Sequence, residues 1–143
     1  MKILIVDDEL VSRKKMERIL QHYGACHAVD NGKAAIDAYT DALLTPEPFD
    51  LITLDVSMPD MGGTEVLSTI RIYERNNSIP KEKRAKILMV TSHADHETVV
   101  TSIAAGCDDY IKKPFSLVHV FQKLTKMCLD ASVDTSLILR DDG

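Results

Sequence analysis

Apolar runs too short to be helices alternate along the chain with stretches of helical period. The clearest runs are residues 3–6, 51–54 and 87–90, and weaker ones fall near 26–29 and 109–111. They are apolar at consecutive rather than alternate positions, which is the pattern of strands covered on both faces. In the first helical stretch Met16, Ile19 and Leu20 share a face. In the third, Val66, Ile70 and Tyr73 stand at offsets 0, 4 and 7; in the fourth, Val99, Val100, Ile103 and Ala104 form the apolar set. In the fifth, Leu117, Phe121, Leu124 and Cys128 stand at 0, 4, 7 and 11. The second stretch, from about 33 to 44, is rich in alanine and follows the turn signal Asn31-Gly32.

Five strand-then-helix units predict an α/β domain with a parallel sheet. Right-handed crossovers place its helices on both faces. Such sheets bind ligands beyond the carboxyl ends of their strands, and polar residues collect there. Asp7 and Asp8 follow the first strand, Asp55 ends the third, Thr91 and Ser92 end the fourth, and Lys112 and Lys113 follow the fifth. Two connections are long. Thr45-Pro46-Glu47-Pro48 breaks the second helix. The polar stretch 74–86, with Asn76, Asn77 and Pro80, reads as a surface excursion, and its Lys81, Glu82, Lys83 and Arg84 as a solvated loop. Residues 1–130 form the predicted domain. Residues 131–143 fall outside the five-unit pattern as a tail or the start of a linker, and their Leu137, Ile138 and Leu139 patch has two readings, docking on the body or starting a linker.

Bulk properties narrow the function. A chain of 143 residues with a formal net charge of −5 lacks the excess of Lys and Arg that a general grip on nucleic acid phosphates requires. The three cysteines, Cys26, Cys107 and Cys128, are odd in number and widely spaced. They read as reduced thiols, small core or helix residues of a cytoplasmic protein. The six methionines read as core filler. No run approaches the ~20 apolar residues of a membrane helix.

Three aspartates meeting at one rim repel one another. Two carboxylates ~4 Å apart cost on the order of 4 kcal/mol at an effective dielectric of 20. A small hard dication with oxygen ligands resolves this, so Asp7, Asp8 and Asp55 read as a Mg²⁺ site, with Mn²⁺ as a substitute. Asp55 is the candidate nucleophile, since a carboxylate accepts a phosphoryl group as an acyl phosphate. The Lys113 ammonium and the Thr91 hydroxyl would neutralise and hydrogen-bond the phosphoryl oxygens. Taken singly, these residues also have plain structural roles: Asp7 and Asp8 as helix N-caps, Thr91 as a cap, Lys113 as a solvated charge, Tyr110 as a static ring.

Four motifs in order carry a family resemblance: Ile-Val-Asp7-Asp8-Glu9; Leu-Asp55-x-x-Met58-Pro59-x-Met61-x-Gly63; Val-Thr91-Ser92; and Ala105-Gly106-x-Asp108-Asp109-Tyr110-Ile-x-Lys113-Pro114-Phe115. From residue 2 to about 129 the chain resembles the receiver domains of two-component response regulators. The resemblance implies a flavodoxin-like (CheY-like) doubly wound fold of strand order 2-1-3-4-5, an order not read from the residues themselves. It implies direct Mg²⁺ ligation by Asp8, Asp55 and the Ser57 carbonyl, and by Asp7 at least through water. It implies phosphorylation of Asp55 by a histidine kinase or phosphotransfer protein, a Thr91 and Tyr110 switch, and a cis Lys113–Pro114 bond. Ser57 and His93 occupy the positions with which receivers tune phosphoryl lifetime through access of water.

The implied protein is a phospho-acceptor with autodephosphorylation, not an enzyme acting on an external substrate. It would be cytoplasmic and a monomer or weak dimer, with no direct contact to nucleic acid or membrane. Its output would pass to a downstream protein or a fused output domain, through a surface around helix four, strand five and helix five. One departure is Gly62, where the family commonly has Asp. Two other functions compete: a Mg²⁺ phosphatase with an aspartyl nucleophile, and a degenerate receiver kept as a scaffold. The first lacks a general acid, because Ser57 stands two residues after Asp55. Intact acceptor, metal and lysine positions speak against the second.

Overall fold

A computed structural model describes residues 1–92 and 96–129. Its order is β1 (Lys2–Val6), α1 (Leu10–Leu20), β2 (Ala25–Val29), α2 (Gly32–Leu43), β3 (Leu51–Asp55), α3 (Gly63–Asn76), a 3₁₀ turn (Lys81–Lys83), β4 (Lys86–Thr91), α4 (His96–Ala104), β5 (Asp109–Lys112) and α5 (Leu117–Lys126). The five strands form one parallel sheet in the order β2-β1-β3-β4-β5. The expected fold and order are therefore present. The expectations for His93 and for residues 131–143 lie outside the described residues.

The uninterrupted apolar strands feed two cores, because successive side chains point to opposite faces. Ile3, Ile5, Leu51, Leu88 and Val90 pack with Met16 and Leu20 of α1 and Leu117 and Leu124 of α5. Leu4, Val6, Ile52, Leu54, Ile87 and Met89 pack with Tyr39 of α2 and Val66 and Ile70 of α3. Met58 and Met61 fill the edge of this second core. The edge strand β2 is only half covered, which accounts for its weaker apolar signal. Asn31-Gly32 marks a helix start rather than a free turn, since the Asn31 side chain accepts from the Ala34 N–H at 2.8 Å.

Three helix expectations need correction. In α3 the buried set is Val66, Leu67, Ile70 and Glu74, with Tyr73 half-buried. The polar Glu74 displaces Tyr73 from the face because Arg71 and Tyr39 bind its carboxylate. In α4 the apolar set does not form a core face: Val100 and Ile103 are 49% and 58% exposed, and Ser102 is buried instead. In α5, Val120 rather than Phe121 is fully covered, and Cys128 lies beyond the helix at φ 63°. Cys128 is exposed, so the reading of every cysteine as a core or helix residue fails there. The excursion 74–86 is also less peripheral than expected, because Glu74 and Ala85 are both buried.

Candidate functional site

The site follows from strand register. Val6 pairs with Leu54, so Asp7 leaves β1 beside Asp55 at the end of β3. Asp55 pairs with Val90, so Thr91 stands one residue further along β4. Thr91 pairs with Lys112, so Lys113 is the next residue out on β5. Backbone bonds carry the ladder past the strands: Val56 N–H donates to Val90 O at 2.9 Å, and Lys113 N–H to Thr91 O at 2.7 Å. Four distant stretches of chain thus meet on one rim.

Local turns then aim the carboxylates. After β1 the chain bends sharply, with the Asp7 side chain accepting from the Glu9 N–H at 2.9 Å and Arg13 donating to the Asp7 carbonyl at 2.9 Å. Glu9 sits at the N-cap of α1 but makes no capping bond. Its carboxylate turns to Lys113 at 2.7 Å. After β3, Ser57 N–H donates to Asp55 Oδ1 at 3.4 Å. The start of α3 presses against β3, for a Cβ at Gly63 would come within 2.1 Å of the Asp55 carbonyl oxygen. Only glycine allows that approach.

Gly62 is the N-cap of α3 and offers no side-chain acceptor. A Cβ there meets nothing nearer than the Val56 carbonyl at 3.4 Å. Gly62→Asp is therefore expected to stabilise the domain by about 0.3–1 kcal/mol, read as a rise in Tm. A fall in Tm would show that the site's negative field outweighs the cap.

Asp7, Asp8, Glu9 and Asp55 place carboxylate oxygens within 4.8 Å of one another. Lys113 Nζ lies among them, 3.1 Å from Asp7 Oδ2 and 3.5 Å from Asp55 Oδ2. One ammonium cannot balance four carboxylates. With both carboxyls ionised, Asp8 Oδ1 and Asp55 Oδ2 are buried and accept no hydrogen bond among the described residues, with Lys113 Nζ in ion-pair range of Asp55 Oδ2 at 3.5 Å. An all-oxygen set with two orphaned buried acceptors fits a hard divalent cation such as Mg²⁺.

The same crowding shifts the protonation of these groups. Burial is the main cause that pushes the Asp55 carboxyl up to about 7; Asp7 and a hydrogen bond with Asp8 push the same way, against the pull of Lys113. Burial opposes the charge on Lys113, but the Glu9 hydrogen bond and the charges of Asp55 and Asp7 outweigh it and raise its pKa. Lys113 in turn lowers the Glu9 pKa.

These shifts have a consequence for stability. With a raised folded-state pKa, Asp55 keeps its proton between about 4 and about 7 while the unfolded chain has lost it. The metal-free fold accordingly loses stability as pH rises through that window and levels off above it. At pH about 8, Asp55→Asn is expected to stabilise the metal-free protein by roughly 1–3 kcal/mol, a range kept below the full shift because Lys113 and solvent screen the charge. Near pH 4 the difference should vanish. Urea unfolding at the two pH values checks this, and equal stability at both would contradict the assigned burial cost.

The expected residues are otherwise placed as follows. Thr91 is buried at the end of β4. Tyr110 is half-buried at the edge of the second core, with Lys123 Nζ 5.0 Å from its ring centroid. Ser57 is exposed beside Asp55. The Lys113–Pro114 bond is cis. Glu9 and Arg13 join the site without having been assigned a role from sequence. Glu9 was visible only as the third acid of a run, and Arg13 as one more charge on a helix surface.

A family model described as the response regulator receiver domain matches residues 3–125. Over 128 residues the chain is 34% identical to the chemotaxis protein CheY-3 of Vibrio cholerae, covering 89% of this chain and 91% of that one. It is also similar to the receiver domain of the histidine kinase CKI1 from Arabidopsis thaliana, solved in complex with Mg²⁺, at 28% identity and a TM-score of 0.74, covering 88% and 90% of the two chains. CheY of Borrelia burgdorferi, solved in a CheX–CheY–BeF₃–Mg complex, gives 25% identity and a TM-score of 0.75, covering 90% and 89%.

Proposed function

Because the chain belongs to the response regulator receiver domains of two-component signalling, we propose that Asp55 is its phospho-acceptor. The observation that carries this assignment is the convergence of the Asp55 carboxylate with those of Asp7 and Asp8 and with Lys113 on one rim of the sheet. An Asp55 oxygen attacks the phosphorus of a histidine kinase phosphohistidine. The P–N bond breaks, the imidazole leaves, and a mixed carboxylic–phosphoric anhydride forms on Asp55. Small phosphodonors would serve through the same in-line displacement.

The carboxylates of Asp8 and Asp55 and the Ser57 carbonyl would hold Mg²⁺, or Mn²⁺ in its place, with Asp7 acting through water. When bound, the ion supplies positive charge to the phosphoryl oxygens. Asp55 must be deprotonated to attack, which the nearby Lys113 ammonium favours. Lys113 then neutralises the transferred group from its position 3.5 Å from Asp55 Oδ2. Thr91, at the end of β4, donates its hydroxyl to a phosphoryl oxygen, and the half-buried Tyr110 responds. The exposed Ser57 leaves the anhydride open to water, so autodephosphorylation belongs to the same reading, with His93 as its second tuning position. Apolar side chains at Val100, Ile103 and Val118 support a protein-binding output face on α4 and α5.

Residues 1–130 are read as the receiver unit, and 131–143 as a tail or linker. Among the described residues no helix is long and apolar enough to cross a membrane, and we place the reaction in the cytoplasm. The test is incubation of the whole chain with acetyl phosphate and Mg²⁺, read by intact mass. One added phosphate, lost when the metal is chelated, is expected. No addition at any metal concentration would remove the proposal.

A further inference from the structure

At the end of the sheet opposite Asp55, the two long connections enclose a cleft of about 610 Å³. Pro48, Phe49 and Leu129 supply its apolar lining, and Lys81, Lys83 and Arg84 of the 3₁₀ turn and its exit supply cations. Among the described residues none of these three cations is within ion-pair distance of a carboxylate. Arg84 is nevertheless fixed, since its Nε donates to the Ile79 carbonyl at 2.8 Å. Of the acids in the same wall, Asp50 is engaged by the Lys2 N–H at 2.7 Å, which leaves Glu82 as the acid facing the cations.

The exit of α5 delivers the chain to this cleft. Cys128 takes a left-handed conformation at φ 63°. Its N–H donates to Thr125 O at 3.0 Å, and the Leu129 N–H donates to Leu124 O at 2.9 Å. These paired bonds are a Schellman stop, and the apolar packing that often accompanies such stops is present, because Leu129 packs against the first core, of which Leu124 is part. The last described residue is thus held by a backbone hydrogen bond and by packing, and it lines the cleft itself. The next residues, 130–143, contain Asp130, Asp134, Asp141 and Asp142 against the single cation Arg140, with Leu137, Ile138 and Leu139 between the acids.

We propose that this cleft at the amino-terminal edge of the sheet, lined by Phe49 and Leu129 and rimmed by Lys81, Lys83 and Arg84, is the docking site of the chain's own residues 130–143. Three observations favour that occupant over others. The segment starts from a residue already in the cleft, so tethering gives it a high effective concentration without any new contact. Its reach is ample, since eight residues from Leu129 to Leu137 span up to about 27 Å when extended. Its charge and its apolar centre are complementary to rim and floor. Both long connections, which line this cleft at the end of the sheet away from Asp55, then have a common role.

Hydrogen exchange of the full chain, read by mass spectrometry, tests it. The amides of 137–139 should exchange about tenfold or more slowly than in an unstructured peptide. Ile138→Asp should abolish that protection, and so should the double variant Lys81→Glu/Lys83→Glu. Neither should change exchange in β1 or β3, which verifies that each variant is folded. Unprotected amides at 137–139 in the unaltered chain would overturn the inference. So would protection that survives the double charge reversal, which would place the segment elsewhere. Protection that grows with protein concentration would also overturn it, assigning the cleft to a second copy.

Discussion

Lys113→Met is expected to slow phosphoryl acceptance by about two to three orders of magnitude and at the same time to tighten divalent metal binding, by about tenfold or more. The opposite signs come from one geometry. Lys113 Nζ sits 2.7 Å from Glu9, 3.1 Å from Asp7 and 3.5 Å from Asp55. In the resting protein it partly neutralises the carboxylates that would bind the metal, so its loss strengthens their attraction for a dication. In the proposed transfer step it would neutralise the phosphoryl group, and nothing else among the described residues brings an ammonium there. Methionine keeps most of the stem's volume and removes the charge. Initial rates with acetyl phosphate at saturating Mg²⁺, paired with calorimetric metal titration, separate the two effects. Loss of both metal binding and rate would make Lys113 a scaffold residue. An unchanged rate would make it a bystander.

The second large effect lies at the other end of α3. Glu74 is fully buried, and its carboxylate is bound by Arg71 at 2.8 Å and by the Tyr39 hydroxyl, which donates to it. Burial and then Glu74 hold the Tyr39 phenol protonated, its pKa well above the ordinary value. Arg71 spreads further, donating to Ala85 O at 3.0 Å, Gly106 O at 2.9 Å and Asp108 Oδ2 at 2.9 Å. Gly106, at φ +103°, is where the backbone turns to present that carbonyl. Arg71→Met leaves the Glu74 charge buried without its cation and should cost about 3–5 kcal/mol in urea unfolding. Adding Glu74→Gln should recover a substantial part of that loss, so the double variant should be more stable than Arg71→Met alone. If the two losses simply add, the pair is not coupled and the account of this network is wrong.

The sheet was legible because β1, β3 and β4 carry runs of consecutive apolar residues, and their ends could be placed by the polar residue that follows. Asp7, Asp55 and Thr91 were legible for the same reason, each being the polar residue that follows an apolar run, while Asp8 and Lys113 stand one residue further out, after Asp7 and Lys112. Periodicity failed where burial is decided by partners rather than by hydropathy. Glu74 takes a core position that its type forbids unless Arg71 and Tyr39 come with it, and those partners are 3 and 35 residues away. The α4 residues Val100 and Ile103 have core hydropathy yet face outward. Glu9 had no signal of its own, because its role comes from Lys113, which is 104 residues distant.

The central claim is that one particular carboxylate takes the phosphoryl group. Peptide mapping of the unaltered chain after incubation with acetyl phosphate and Mg²⁺, with the acyl phosphate trapped by borohydride reduction, locates it directly. A single modified residue, Asp55, is expected. Modification spread over Asp7, Asp8 and Glu9, or found on any residue outside the rim, would contradict it.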